Sequence, residues 1–166
     1  MQMDKNLKEF IINKKHRALR RKLSVELAED FSRRALSPIQ RMTERFSLLC
    51  QEERPIVFEN ERIAFIRTIE NLPPIFTEQE WTDIKSKHYI HELGFLSNLS
   101  PDYETVLQKG LLALKENADE YSKKSIDAIV SLSDRYAMEA ERVGNKTVAQ
   151  TWKRVPRYGA TRFLEA

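Results

Sequence analysis

The feature that most constrains this chain is the stretch from Ser100 to Gly144, SPDYETVLQKGLLALKENADEYSKKSIDAIVSLSDRYAMEAERVG. Leu107, Leu111, Leu114, Ala118, Tyr121, Ile129, Tyr136, Ala140 and Val143 recur mostly at three- and four-residue steps, with wider steps on either side of Ile129, the larger between Tyr121 and Ile129. Such spacing lays an apolar stripe along one side of a helix, and the stripe stabilises only when partners cover it. Ser100 is a good N-cap. Pro101 suits the first helical position, where its missing N–H is unsatisfied anyway, and Asp102 and Glu104 favour the positive end of the dipole. Gly144 and Asn145 tolerate a left-handed C-cap. The stretch therefore predicts one long helix, or two nearly collinear ones, over about 101–143.

The remaining segments are read around that element. Residues 4–23 predict a first helix with Leu7, Phe10, Ile11, Ala18 and Leu19 inward, and SVELAEDFSRRAL a short second one. In SPIQRMTERFSLLCQEE, Ser37 caps, Pro38 takes the first turn, and Ile39, Met42, Phe46, Leu49 and Cys50 line one side. ENERIAFIRTIENL predicts a further helix that Pro73-Pro74 ends. Thr77 with Glu80 three residues on forms a capping box, so TEQEWTDIKSKHYIHEL reads as helical and buried through Trp81 and Ile84. Gly94 to Leu99 reads as loop, Thr147 to Lys153 as another turn or two, and Tyr158 to Ala166 as the start of a last helix with no C-cap, as if cut inside the helix. No segment alternates as a strand. The fold class is all-α: an irregular multi-helix array around one long central helix, with residues 1–166 forming a single helical domain or fragment.

Composition narrows the function classes. Hydrophobic residues make up 41%, charged residues 32%, and four glycines argue for a helix-rich protein over a β-sandwich. No apolar run reaches the roughly 18 residues a membrane span needs, and the charged N-terminus does not resemble a signal peptide. The expectation is a cytoplasmic protein with no membrane partner. The single Cys50 excludes an internal disulfide and fits a reducing compartment. Charge is segregated: residues 1–45 hold 12 basic and 6 acidic side chains, 46–145 hold 11 and 18, and 146–166 hold 5 and 1. The cluster Lys14, Lys15, His16, Arg17, Arg20, Arg21 and Lys22 invites a nucleic-acid reading. Apolar residues interrupt it at helical spacing, however, so a solvated basic face on an amphipathic helix explains it more simply.

Pro101-Asp102-Tyr103, Val106-Leu107 and Lys109-Gly110-Leu111 form a run P-D-Y-x-x-V-L-x-x-G-L. Arg135-Tyr136-Ala137 with Ala140-Glu141, and then Val155-Pro156, Ala160, Phe163 and Glu165-Ala166, follow it in order, and Leu72-Pro73-Pro74-Ile75 precedes it. In this order the segments resemble the N-terminal third of glycyl radical enzymes, the pyruvate formate-lyase family. The resemblance covers most of the chain from about Arg17 to Ala166, loosely before Pro73 and better after Pro101. Gly159 departs from it, standing where the V-P-x-x-P-A pattern has its second proline. Asn98 departs too, three residues before the proline of P-D-Y, where dehydratase-like members often have a histidine.

The resemblance implies that the chain is the N-terminal helical part of a larger β/α-barrel enzyme. That parent would be an anaerobic cytoplasmic homodimer whose glycyl radical is installed by a radical S-adenosylmethionine activase. Its reaction would be formate C-acetyltransferase chemistry or a related radical lyase or dehydratase step. The radical glycine and the central-loop cysteine would lie beyond residue 166. No catalytic residue and no cofactor is then expected in this chain, whose partner is the barrel of the parent; Asn98, Asp102 and Tyr103 are the candidates for its contribution to a substrate pocket.

Other chemistry-bearing residues have simpler readings. Cys50 sits among Phe46, Leu48 and Leu49 and reads as a small buried apolar residue. His88 and His91 lie three apart beside Glu92 but lack a third metal ligand at a defined spacing, so no metal site is expected. Glu78, Glu80 and Asp83 beside Trp81 suggest acid–base work, yet capping accounts for Glu80. A second function class remains open: a stand-alone helical binding module whose Arg17, Arg20 and Arg21 meet nucleic acid or an acidic partner.

Overall fold

A computed structural model describes residues 8–9, 12–13, 18–62, 67–87, 102–162 and 165. Among these the chain is helical, with no strand beyond one isolated parallel bridge between Arg21 and Ile69. The helices are α1 (Leu27–Arg33), α2 (Pro38–Glu52), α3 (Glu78–Lys87), α4 (Tyr103–Lys109), α5 (Leu111–Lys115), α6 (Glu120–Arg142) and α7 (Lys146–Arg154). No helix among the described residues is long and apolar enough to cross a membrane.

Local chemistry sets several of these bounds as the sequence predicts. Ser37 opens α2 with a reciprocal capping box, its backbone N–H donating to Gln40 Oε1 at 2.8 Å. Thr77 opens α3 the same way: Thr77 N–H donates to Glu80 Oε2 at 2.9 Å, and Glu80 N–H to Thr77 Oγ1 at 3.2 Å. At the end of α6, Gly144 adopts φ 80°, its N–H donates to Glu141 O at 3.0 Å, and Asn145 N–H donates to Ala140 O at 2.8 Å. This paired closure satisfies two orphan carbonyls with glycine at the left-handed position.

The long central helix is not continuous. Gly110 at φ 77° ends α4, and the N–H groups of Leu111 and Leu112 leave the helical ladder to donate to Pro156 O at 2.8 Å and Arg157 O at 3.1 Å. A second break at Glu116–Ala118 is followed by Asp119, which caps α6 by accepting from Tyr121 N–H at 2.8 Å and Ser122 N–H at 3.0 Å. Both breaks lie before the Tyr121–Ile129 gap where the apolar stripe slips. A tertiary partner for the backbone and a strong side-chain cap each outcompete helix continuation.

Two other expected helices are also corrected. Residues 20–26 and 67–72 are non-helical, where helix was expected. Arg21 N–H donates to Thr68 O at 2.7 Å and Glu70 N–H to Arg21 O at 2.9 Å, while Asn71 brackets Leu23 through both its amide atoms. Cross-chain pairing thus takes the backbone groups that a helix would have used. Tyr158–Ala160 is likewise non-helical, because Ala160 N–H donates to Leu107 O at 2.7 Å. The expected loop at 94–99 lies outside the described residues.

The core sits where α6 packs on α7 and α2. Val57, Tyr136, Ala140, Val148 and Ala149 form its centre, with Leu132, Val143 and Trp152 packed against them. Tyr136 is 0% exposed and stacks on Trp152 with ring centroids 4.8 Å apart. Ser133, also fully buried, donates from its hydroxyl to Trp152 O at 2.5 Å. Asn145 ties the α6–α7 corner down. Its Oδ1 accepts from Val148 N–H at 3.1 Å, and its Nδ2 donates to Phe58 O at 3.0 Å and Glu61 O at 2.8 Å.

Candidate functional site

Of the substrate-pocket candidates, Asp102 and Tyr103 stand at the start of α4. Asp102 caps α4, its Oδ1 accepting from Thr105 N–H at 3.0 Å. The Thr105 side chain and backbone together hold its carboxyl below the usual carboxylate range. Tyr103 begins the helix and is 66% exposed. Asn98 and Arg17 lie outside the described residues.

At the other end of α4 from Asp102 and Tyr103, two glycines allow a backbone-on-backbone contact. A Cβ on Gly110 would overlap the backbone of Arg157 and Tyr158, and a Cβ on Gly159 would overlap the carbonyl of Gln108. Gly159 therefore has a steric reason to be glycine. Hydrogen bonds from Leu111 and Leu112 to 156–157, and from Ala160 back to Leu107, complete the contact. The Val155–Pro156 bond within it is cis.

The Arg135-Tyr136-Ala137 segment stands on α6 facing the core. Arg135 Nη1 donates to Glu53 O at 2.6 Å, and Nη2 donates to Cys50 O, closing the C-terminus of α2 with a cation. Cys50 itself is buried, and desolvation pushes its thiol upward despite the nearby Arg135 charge. A raised thiol is a poor nucleophile at neutral pH.

Glu80 is no free acid or base. Its two oxygens accept from Arg41 Nη1 and Nη2 at 2.8 Å each, which brings the carboxyl down to about 2. Arg41 is only 5% exposed, and its remaining donors reach Leu36 O and Ile75 O. Its guanidinium also lies 5.0 Å from the Phe76 ring centre, and Phe76 meets Trp81 edge-on at 5.4 Å. Trp81 and Ile84 are half-buried rather than buried. This ion-pair and aromatic latch, which joins α3 to α2, was not visible to sequence reasoning. An arginine on the polar side of a helical pattern gives no sign that carbonyls from two other segments will surround it.

Of the basic candidates, Arg20 is exposed, whereas Arg21 is spent inward: its Nη2 donates to Glu52 O at 2.6 Å and to Glu52 Oε2 at 2.9 Å. Arg20 and Arg21 do not lie on a helix. Two shallow concavities lie away from Asp102 and Tyr103. One of about 400 Å³ is lined by Pro55, Arg135, Met138, Glu139 and Arg142, and the other, of about 240 Å³, by polar residues between α2 and the start of α6. Among the described residues no group of three His, Cys, Asp or Glu side chains is placed to hold a metal ion. His88 and His91 lie outside them. Comparison with known proteins returned no matching family model, no matching curated protein and no matching solved structure.

Proposed function

We propose that this chain is a non-catalytic helical scaffold corresponding to the N-terminal part of a glycyl radical enzyme of the pyruvate formate-lyase type. One observation carries the reading: three of the four segments that bear the resemblance are brought together in the fold. The P-D-Y…G-L segment and the V-P segment meet backbone to backbone at Gly110 and Gly159, and Arg135-Tyr136-Ala137 fills the core beside them. In this role the chain braces the barrel of a longer parent, with Asn98, Asp102 and Tyr103 as the candidates for contact with its substrate. The parent supplies the radical glycine and the thiyl cysteine, and a radical S-adenosylmethionine activase installs the radical. The reaction is a formate C-acetyltransferase or a related lyase or dehydratase step, carried out in an anaerobic cytoplasm by a homodimer.

The test is the mass of the native polypeptide in its source cells, read by immunoblot and peptide sequencing. The expected outcome is a chain several hundred residues longer, with a cysteine-bearing G-C-x-E loop and an R-V-x-G-Y loop near its C-terminus. A native chain that stops at Ala166 would remove the radical-enzyme reading.

A further inference from the structure

Helix α2 presents one row that the fold leaves open. Ile39, Met42 and Phe46 are 48%, 53% and 36% exposed. Ile39 and Phe46 stand three and four residues from Met42 on one unbroken helix, so the three share a face. Half-buried Leu49 continues the row. Arg45, three residues from Met42 and four from Leu49, rims the same face. Its guanidinium is half-buried, and Nη1 donates to Pro73 O at 3.4 Å, longer than an ordinary N–H···O bond. Among the described residues no carboxylate meets it. Desolvation pulls its pKa below the usual arginine range. By contrast, Arg21, Arg34 and Arg41 hold Glu52, Glu44 and Glu80. A desolvated cation with unspent donors beside an open apolar row lacks one thing, an apolar surface that carries a carboxylate.

We propose that Ile39, Met42, Phe46 and Arg45 form a docking site for an acidic amphipathic helix of a partner protein, whose apolar residues cover the row and whose carboxylate pairs with Arg45. A helix surface has no open backbone edge for a strand to join, so its side-chain ridges are met by those of another helix. Methionine supplies an adaptable surface and arginine an anchor, residue types that such grooves and hot spots favour. A second copy docked α2 to α2 would not complete the site, because the helix's own carboxylates, Glu44 and Glu52, are held by Arg34 and Arg21. An anionic membrane is the poorer fit. Lying on lipid takes several free cations on the polar face, and here Arg34 and Arg41 are already ion-paired. This site is independent of the scaffold role proposed above, and either can fail alone.

The experiment is fluorescence anisotropy of the full chain with a labelled helical peptide of about 20 residues, leucine along one face and glutamate beside it, and with a twin bearing lysine for glutamate. At low salt the glutamate peptide should bind at least about fivefold more tightly than the twin. Met42→Gln should weaken its binding about tenfold. Arg45→Glu should reverse the preference between the peptides, and Arg45→Gln, the milder change, should abolish it. Lys123→Gln removes a cation from an exposed position on α6 and should change neither affinity by more than about twofold. Circular dichroism checks that the variants fold; if Arg45→Glu does not, Arg45→Gln decides. No binding of either peptide, or a preference that Arg45→Gln leaves intact, would overturn the proposal. So would self-association of the chain through the row, undone by Met42→Gln, or tighter binding to phosphatidylserine vesicles than to the peptide. Those two results would assign the row to a second copy and to lipid, respectively.

Discussion

Helices α2 and α6 carry the same kind of amphipathic pattern and meet opposite fates. On α6 the residues that go inside are apolar or small, Ile126, Ser133, Tyr136, Ala137 and Ala140, and α7 and α2 pack against the helix. On α2 the fully buried residues are Arg41, Thr43 and Cys50, while Ile39 and Met42 stand 48% and 53% exposed and Phe46 lies at the edge of exposure. The difference teaches that periodicity reports an apolar face but not which face the fold covers. Arg41 goes inside because Leu36 O, Ile75 O and Glu80 satisfy its donors, which removes the usual penalty for burying a charge.

The comparison is broken most directly at Tyr136. Tyr136→Ala empties the centre of the α6–α7 core and should cost about 3–5 kcal/mol in urea unfolding, the range for deleting a large core aromatic. A loss under about 1 kcal/mol would mean that α6 does not carry the core.

The two left-handed glycines sharpen it next. Gly144 has open space where a Cβ would go, so Gly144→Ala should cost only the backbone strain, about 1 kcal/mol. Gly110 shares that conformation but faces the backbone of Arg157 and Tyr158, so Gly110→Ala should cost about 2–4 kcal/mol through strain plus overlap. Equal effects at the two sites would mean that the contact with 156–160 is not closed in solution.

These sites also mark what the sequence could show. The caps at Ser37, Thr77 and Gly144–Asn145 were legible because each is satisfied by residues within five positions. The break at Gly110 was not, although a glycine inside a helical pattern is a recognised warning, because its cause is a carbonyl row more than forty residues on. The extended pairing of 20–22 with 68–70 was hidden for the same reason, and helical spacing of apolar residues pointed the wrong way there. Of the candidate site, the acidic helix start follows from local pattern, although Asp102 caps α4 where Ser100 was expected to and the helix begins at Tyr103, while the use of Gly159 as clearance for Gln108 needed the fold.

Acid should weaken the α2–α3 contact. The carboxyl of Glu80 is depressed to about 2 by Arg41, so the folded state binds its proton less readily than the unfolded chain does. The stability it contributes is therefore complete above the ordinary glutamate range near 4.5 and is lost as pH falls toward 2. Because the Glu80 side chain is 28% exposed, solvent screening reduces that contribution to about 1–2 kcal/mol. Urea midpoints between pH 5 and 2.5 should fall in the wild type, and more shallowly in Glu80→Gln, whose stability is already lower at pH 7. A parallel fall in both would assign the acid sensitivity to other carboxylates.

The smallest effect in stability is the one that tests the exposed face of α2. If Ile39, Met42 and Phe46 face water in the free chain, Met42→Gln loses little burial and should shift stability by less than about 0.5 kcal/mol. The same change should lower the binding of an apolar dye and any association of the isolated chain, since a contiguous apolar stripe on a surface helix is what both require. Thr43→Val, one position along and 5% exposed, supplies the contrast: its hydroxyl donates to Ile39 O at 2.8 Å, so the change alters a buried contact without touching the stripe. Dye binding should therefore fall in Met42→Gln and hold in Thr43→Val. A Met42→Gln loss above about 1 kcal/mol would show instead that the stripe is covered in solution, and the asymmetry between α2 and α6 would disappear.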